Sequence, residues 1–404
     1  MSRYHSYLNT ASSILGKYKG EEPFASFLKK CFAADKKYGS KDRKHIAHFC
    51  YCYFRTANLF KEDSTEEKLL KGLFLCSSET NELLQKLKPE WNSTTGLSAE
   101  EKCSMLNGQC LPAGQAGSTL NLFPFNDELS NAVELLQYSK SFLIQPDLFL
   151  RIRPGQRKTV LEKLQIANCK FQIVSDDCIA FTNSTKLDGI IDLDREAVIQ
   201  DYSSQQTGEF FKSSTMPAGR QVLNIESKIT LWDCCAASGG KSILAKDLLG
   251  EIDLTVSDIR ESILANLKKR FQQADIKNYK SFVVDLANEN VQHSLINNQQ
   301  SIIIADVPCS GSGTWARTPE QLVFFKKEEI ERYSLLQKKI ISNTIPHLAP
   351  GGYFLYITCS VFKKENEENA EFIKNQFNLE LIKMELIKGY DKKADTMFAA
   401  LYRK

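Results

Sequence analysis

D-V-P-C-S-G-S-G, residues 306–313, follows directly on the apolar run Ile302 to Ala305. A β-branched run that stops at an aspartate, a Pro-Cys pair and two glycines reads as a buried parallel strand ending in a loop that carries chemistry. Two other strings fit the same pattern. A second thiol sits after an apolar run in Y-I-T-C-S, residues 356–360, and A-A-S-G-G-K, residues 236–241, follows the run Ile229 to Trp232. Two cysteines and a glycine turn, all at strand ends, point to one pocket.

From Ile229 onward strands and helices alternate. The predicted strands are Ile229–Trp232, Leu254–Ser257, Phe282–Val284, Ile302–Ala305 and Tyr353–Thr358, and the helices span about 242–249, 262–274, 328–344 and 365–377. This alternation predicts an α/β domain, a mostly parallel sheet covered on both faces. Leu379–Met384 and Met397–Tyr402 are expected to close its edge as an antiparallel hairpin. Ligands of such sheets bind at the carboxyl ends of the strands.

Upstream, residues 148–153, 159–168, 171–174 and 179–181 read as strand, helix, strand and strand, a small α+β module that leads through Q-D-Y-S-S-Q at 200–205. Residues 1 to about 90 have apolar residues three and four apart (Ile46, Phe49, Cys50, Tyr53; Leu69, Leu70, Leu73, Phe74), which predicts helices. Residues 92–121 and 215–227, with L-P-A-G-Q-A-G at 111–117 and M-P-A-G-R-Q at 216–221, read as loop insertions. The expected domains are therefore 1–140, 141–222 and 223–404.

The 404 residues suffice for two or three cores, and 42% hydrophobic with 25% charged residues is ordinary globular composition. No apolar run approaches a membrane span and the N-terminus lacks the apolar core of a signal peptide, so a cytoplasmic location is expected. The 12 cysteines show no Cys-x-x-Cys pair and no zinc spacing, so neither disulfides nor a metal are expected. A net charge of +3 does not decide for or against a nucleic acid, but Lys29 to Lys44 holds seven cations against Asp35 and Asp42. That segment is either a solvated helix face or a phosphate-contacting patch.

Asp233, Asp258 and Asp285 each follow an apolar run. At the tip of the second strand a carboxylate can accept hydrogen bonds from two ribose hydroxyls, and the third could face an adenine amino group. Gly239 and Gly240 let a backbone approach a ligand, and the string matches neither the P-loop nor G-x-G-x-x-G. A nucleotide-like cofactor without a triphosphate fits best.

The strings D-C-C-A-A-S-G-G-K at 233–241, D-V-P-C-S-G-S-G at 306–313 with Arg317 and Pro319 after it, and Y-I-T-C-S at 356–360 resemble the RNA 5-cytosine methyltransferases of the RsmB/Nop/Sun type. R-I-R-P at 151–154 and Q-D-Y-S-S-Q are similar to that family's preceding module, and G-S-K-D-R at 39–43 resembles the NusB-like RNA-binding domain of the bacterial small-subunit rRNA enzymes. Ser238 departs from the pattern, which has proline there; a looser turn is expected.

The resemblance implies a Rossmann-like class I methyltransferase domain, S-adenosylmethionine as cofactor, and RNA as partner, rRNA rather than tRNA, with no membrane or metal and a monomeric chain. It assigns Cys359 as the nucleophile, Cys309 to product release, Asp306 to the pyrimidine edge, and Lys241 to orienting Asp306 or favouring thiolate. Asp233, Ala236, Ser238, Gly239, Gly240, Lys241, Asp258, Asp285, Asp306 and Pro308 would hold the cofactor, and Arg317 and Arg43 the RNA. A tRNA substrate and a non-catalytic assembly factor are the alternatives. Lys363 and Lys364, beside Glu365, Glu367 and Glu368, are expected to form a solvated helix start.

Overall fold

The computed structural model describes residues 3–35, 37–106, 120, 122–212, 229–288, 296 and 299–404; both P-A-G strings lie outside these residues. Contacts divide the chain into two units. One comprises Met1–Asp127, Glu134–Gln145 and Thr314–Lys327; the other comprises Glu128–Val133, Pro146–Gly313 and Glu328–Lys404.

In the first unit the helices Arg3–Lys17, Phe24–Ala34, Ser40–Thr56 and Thr65–Leu75 surround a core of Phe24, Ile46, Phe49, Phe54, Leu69, Leu73 and Phe74. The two predicted apolar stripes supply five of these seven; Tyr53 is only half-buried. Part of the stretch expected to be loop is helical, because Ala99–Met105 forms a helix. Its cause is a capping box: Ser98 Oγ accepts from the Glu101 N–H at 3.2 Å and the Glu101 carboxylate accepts from the Ser98 N–H at 2.8 Å. The segment Thr314–Lys327, which the sequence places within the catalytic domain, packs in this helical unit. The Phe24 N–H donates to Glu320 Oε1 at 3.0 Å, and the buried Arg55 donates to the Ala316 carbonyl at 2.8 Å.

The second unit holds two sheets. A four-stranded antiparallel sheet is built from β1 (Leu148–Ile152), β2 (Gln172–Ile173), β3 (Cys178–Phe181) and β4 (Ala197–Ile199), in the order β2-β3-β1-β4. The second sheet has seven strands: β5 (Ile229–Asp233), β6 (Ile252–Asp258), β7 (Tyr279–Val283), β8 (Gln300–Asp306), β9 (Leu348–Thr358), β10 (Glu380–Ile387) and β11 (Met397–Arg403). Their order is β10-β11-β9-β8-β5-β6-β7, with β5 to β9 parallel and β11 antiparallel to both β9 and β10. The expected parallel sheet with an antiparallel edge hairpin is what forms.

Alternation along the strands explains why both faces are covered. Leu231, Ile302, Ile304, Leu355, Ile357 and Leu401 face the helices Gly240–Leu249 and Glu261–Gln273 through Ile243, Leu267 and Phe271. Their neighbours Trp232, Ile303, Ala305, Phe354, Tyr356 and Tyr402 face the helices Glu328–Thr344 and Glu367–Phe377 through Ile340, Ile341 and Ile373.

The small sheet is bolted to the large one by ions. Asp247, 4% exposed on the helix Gly240–Leu249, takes Arg151 at 2.7 Å and Arg153 at 2.8 Å, so both arginines of R-I-R-P are structural. Losing that carboxylate would leave Arg151 buried without its counter-charge, which costs about 3–5 kcal/mol in comparable sites. Q-D-Y-S-S-Q adds further ties: Gln200 accepts from Arg151 at 2.8 Å and Asp201 accepts from the Asp395 N–H at 3.1 Å.

Candidate active site

The register of the parallel strands sets the site. Asp233 pairs with Val256 on β6 and Ile304 on β8, and Asp306 pairs with Ile357 on β9, so Asp233, Asp258, Asp306 and Thr358 all lie at carboxyl ends. The loops leaving β8 and β9 then bring Cys309 and Cys359 together, with sulfurs 3.1 Å apart and both thiols free.

Two glycines of the loop are there for space and turn. Gly311 has φ +69°, and a Cβ on Gly313 would stand 2.0 Å from the Thr396 carbonyl oxygen. The Gly313 N–H donates to the Cys359 carbonyl at 2.9 Å, which ties one cysteine loop to the other. The Cys359 N–H also donates to Cys309 Sγ at 3.3 Å. The Cys309 thiol is held well above its ordinary range, first by its hydrogen bond with Cys359, then by burial and by the negative charges of Cys359 and Glu365. Cys309 is therefore biased toward keeping its proton.

Lys241 Nζ donates to Asp306 Oδ2 at 2.6 Å and reaches Ser204 Oγ at 3.5 Å. Burial alone would push the lysine down; the charge and hydrogen bond of Asp306 outweigh it and hold the ammonium above its ordinary value. The ion pair is largely enclosed, with side chains 11% and 28% exposed.

The turn at 236–241 is held tightly. Gly239 has φ +83°, and a Cβ there would lie 2.6 Å from the Phe271 ring, so only glycine fits. Ser238, expected to loosen the turn, gives it an anchor instead: its hydroxyl and carbonyl oxygens each accept from Arg270 at 3.0 Å, and Arg270 is paired with Asp194 at 2.6 Å. Proline could supply the carbonyl but not the hydroxyl. Ala236 donates its N–H to the Ser257 carbonyl at 2.9 Å, and Gly240 opens the helix behind it.

Asp233 is fully buried. Its Oδ2 accepts from Ser242 at 2.6 Å while Oδ1 has no partner, and burial pushes its carboxyl up to about 7 against the pull of Ser242, with the charge of Asp306 adding to the rise. The folded chain thus keeps a proton that the unfolded carboxyl releases near 3.8. This contribution to stability is present at low pH and is lost as pH climbs from about 4 through 7, on the order of 4 kcal/mol in all. Urea unfolding at pH 5 and pH 8 should show that decline in the wild type and a smaller one in Asp233→Asn; equal declines would refute the assignment.

Asp258 accepts from the Ala237 N–H at 3.0 Å and from the Arg260 N–H at 2.9 Å, and it also pairs with the exposed Arg260 side chain at 3.0 Å. A diol at this carboxylate would displace the guanidinium. Asp285 accepts from Ala287 N–H at 3.0 Å and Asn288 at 2.7 Å. The Pro308 carbonyl accepts from Gln337 at 3.0 Å. Arg317 lies in the segment that packs with the helical unit, and Arg43, an exposed side chain that donates to the Tyr38 carbonyl at 2.9 Å, lies in the helix Ser40–Thr56 of that unit. In the basic segment Lys30, Lys37 and Lys41 are paired with Glu22, Asp35 and Glu82; among the described residues Lys29, Arg43 and Lys44 have no ion pair.

One residue was misjudged. Glu365 is fully buried rather than solvated, and the helix starts at Glu367, beyond it. Its carboxylate accepts from the Ser310 N–H, Gln337 and Ser360 at 2.9, 2.9 and 2.7 Å. Burial pushes this carboxyl up and the hydrogen bonds pull it back. A charge run K-K-E-N-E-E hides such a residue, and no local signal distinguishes Glu365 from Glu367 or Glu368.

The family model of the 16S rRNA methyltransferase RsmB/F matches residues 220–401, the span that contains both thiols, Lys241 and Asp306. Residues 220–401 are thus similar to the RsmB/F methyltransferases. The ribosomal RNA small subunit methyltransferase B of Shewanella oneidensis is 25% identical over 81% of this chain and 80% of its own length. The enzyme of the same name from Photorhabdus laumondii is 27% identical over 45% of the chain and 39% of its own length, so this match leaves more than half of that relative uncovered. Among solved structures, NSun6 from Pyrococcus horikoshii, determined with SFG, superposes with TM-score 0.55 at 14% identity over 67% of this chain and 94% of that one. A methyltransferase homologue from the same organism gives 0.52 at 18% identity over 67% and 90%. These likenesses, with the strand order, make the seven-stranded domain a class I methyltransferase fold. No helix among the described residues is long and apolar enough to cross a membrane.

Proposed function

We propose that the chain transfers a methyl group from S-adenosylmethionine to carbon 5 of a cytosine in RNA, with small-subunit rRNA as substrate. The observation that carries this reading is the pair of free thiols 3.1 Å apart beside the Lys241–Asp306 ion pair, within the RsmB/F-matched span. Carbon 5 of cytosine is a weak nucleophile until a thiolate adds at carbon 6, so a pyrimidine 5-methyltransferase needs such a cysteine.

The glycine turn fits the cofactor: it offers the open Gly240 backbone, a helix N-terminus and, behind it, the unpartnered Asp233 oxygen. Ala236, Ser238, Asp258, Asp285 and Pro308 would complete the cradle. Bound there, S-adenosylmethionine would supply an electrophilic methyl group. Cys359 adds to carbon 6, and Asp306, steadied by Lys241, holds the pyrimidine edge and moves a proton as charge develops. The carbon 5 proton then leaves and Cys359 is expelled, with Cys309 assisting release. The base must leave its stack to reach the thiols, so a loop or single strand is the form taken. Lys29, Arg43 and Lys44 of the helical unit, and Arg317, would meet phosphate.

Bisulfite sequencing of rRNA and tRNA from a deletion strain tests this. One cytosine in small-subunit rRNA should lose its protection. Loss in a tRNA instead would move the substrate, and no loss at all, with no S-adenosylmethionine binding by calorimetry, would favour a non-catalytic assembly factor.

A further inference from the structure

We propose that Glu365 is the positioning residue that sets the spacing of the two thiols. The inference rests on the reading that Cys309 and Cys359 act on cytosine, but its geometry stands apart from that reading. One carboxylate oxygen accepts from the N–H of Ser310, the residue after Cys309, at 2.9 Å and from Gln337 Nε2 at 2.9 Å. The other accepts from the hydroxyl of Ser360, the residue after Cys359, at 2.7 Å. A single buried side chain therefore holds the chain one residue beyond each sulfur.

The surroundings keep that side chain still. Tyr356 donates its hydroxyl to the Glu365 carbonyl at 2.6 Å, and Gln337, which also holds the Pro308 carbonyl, receives Asn369 Nδ2 at 2.6 Å. Ser310, Ser312 and Ser360 hydroxyls lie 3.1 to 3.2 Å from one another, which closes a polar knot beneath the thiols. Three donors converge on the two oxygens, a pattern that a carboxylate satisfies because it only accepts. Glutamine has one acceptor oxygen and brings an amide N–H₂ against donors, while aspartate is one methylene too short to span both loops. Glu365 touches neither sulfur by hydrogen bond; it acts through Ser310 and Ser360.

The test uses the full chain as wild type, Glu365→Gln, Glu365→Asp and Ser360→Ala. Diamide removes two hydrogens from a pair of nearby thiols, leaving a disulfide and the reduced hydrazine; losing the Glu365 charge would by itself favour the Cys309 thiolate and speed this reaction, so a slower crosslink reads a wider sulfur spacing without any methyl transfer. Peptide mapping follows the Cys309–Cys359 product, a 5-fluorocytosine RNA follows adduct formation, and calorimetry with S-adenosylmethionine checks the fold. Glu365→Gln should slow both the crosslink and the adduct by about tenfold or more, as loss of residues that orient a reacting group does elsewhere. Its S-adenosylmethionine affinity should stay within about twofold of the wild type. Crosslinking at the wild-type rate in Glu365→Gln overturns the proposal. Should Glu365→Gln fail to fold, Ser360→Ala, which cuts one tie and leaves the carboxylate in place, must still slow the crosslink; an unchanged rate there has the same force. If the wild type forms no RNA adduct, the methyltransferase reading fails while the crosslinking comparison still decides the role of Glu365.

Discussion

Cys359→Ala is expected to form no covalent adduct with a 5-fluorocytosine RNA and to lose methyl transfer by about 10⁴-fold or more, as removal of a nucleophile does. Cys309→Ala is expected to trap the adduct instead. The two sulfurs are 3.1 Å apart, so position alone does not rank them; the surroundings of Cys309 do. Cys309 is held in its thiol form by the Cys359 sulfur, by burial and by Glu365. The thiol that keeps its proton is the poorer nucleophile, and the better partner for a sulfur that must later be expelled. Denaturing gels of each variant with labelled RNA separate the outcomes. An adduct with Cys359→Ala and none with Cys309→Ala would reverse the roles.

Asp306→Asn is expected to lower kcat by about 10²–10⁴-fold, the range in which a positioned acid or base contributes. It should also destabilise the fold, by up to about 3–5 kcal/mol, since it strands an ammonium whose side chain is only 11% exposed. These effects come apart in the double variant Asp306→Asn with Lys241→Met. An apolar residue in place of the stranded charge restores much of the stability, and activity stays low because the pyrimidine edge still lacks its carboxylate. Urea melts and single-turnover methylation give the two readouts. Recovery of activity together with stability would mean that Asp306 serves only to neutralise Lys241.

Much of the catalytic domain was legible in the chain because its signals are local. An apolar run capped by Asp306, Pro308 and Cys309 announces a strand and its loop, and each strand from β5 to β11 overlaps a predicted one, although β7 begins three residues before Phe282 and β9 five before Tyr353. The motif cysteines, Lys241 and Asp306 were likewise legible, since residue type and neighbours identify them. Less was legible where long-range packing decides. Thr314–Lys327 packs with the helical unit, whereas the helix at Ala99–Met105 rests on a local Ser98–Glu101 capping box masked by the loop residues around it. Ser238 gains an anchor only because Arg270, 32 positions on, is held by Asp194.

By itself, then, the sequence determined the alternation of strands and helices from Ile229 onward, the candidate reactive groups and their place at strand ends, because these follow from periodicity and from the chemistry of single residues. Only the tertiary structure decided which groups meet. It set Cys309 and Cys359, 50 positions apart, at 3.1 Å, pushed the Cys309 thiol up through its surroundings, and buried Glu365 while leaving Glu368 exposed. Distance and desolvation are properties of the packed chain, and adjacent glutamates differ in them without differing in sequence character.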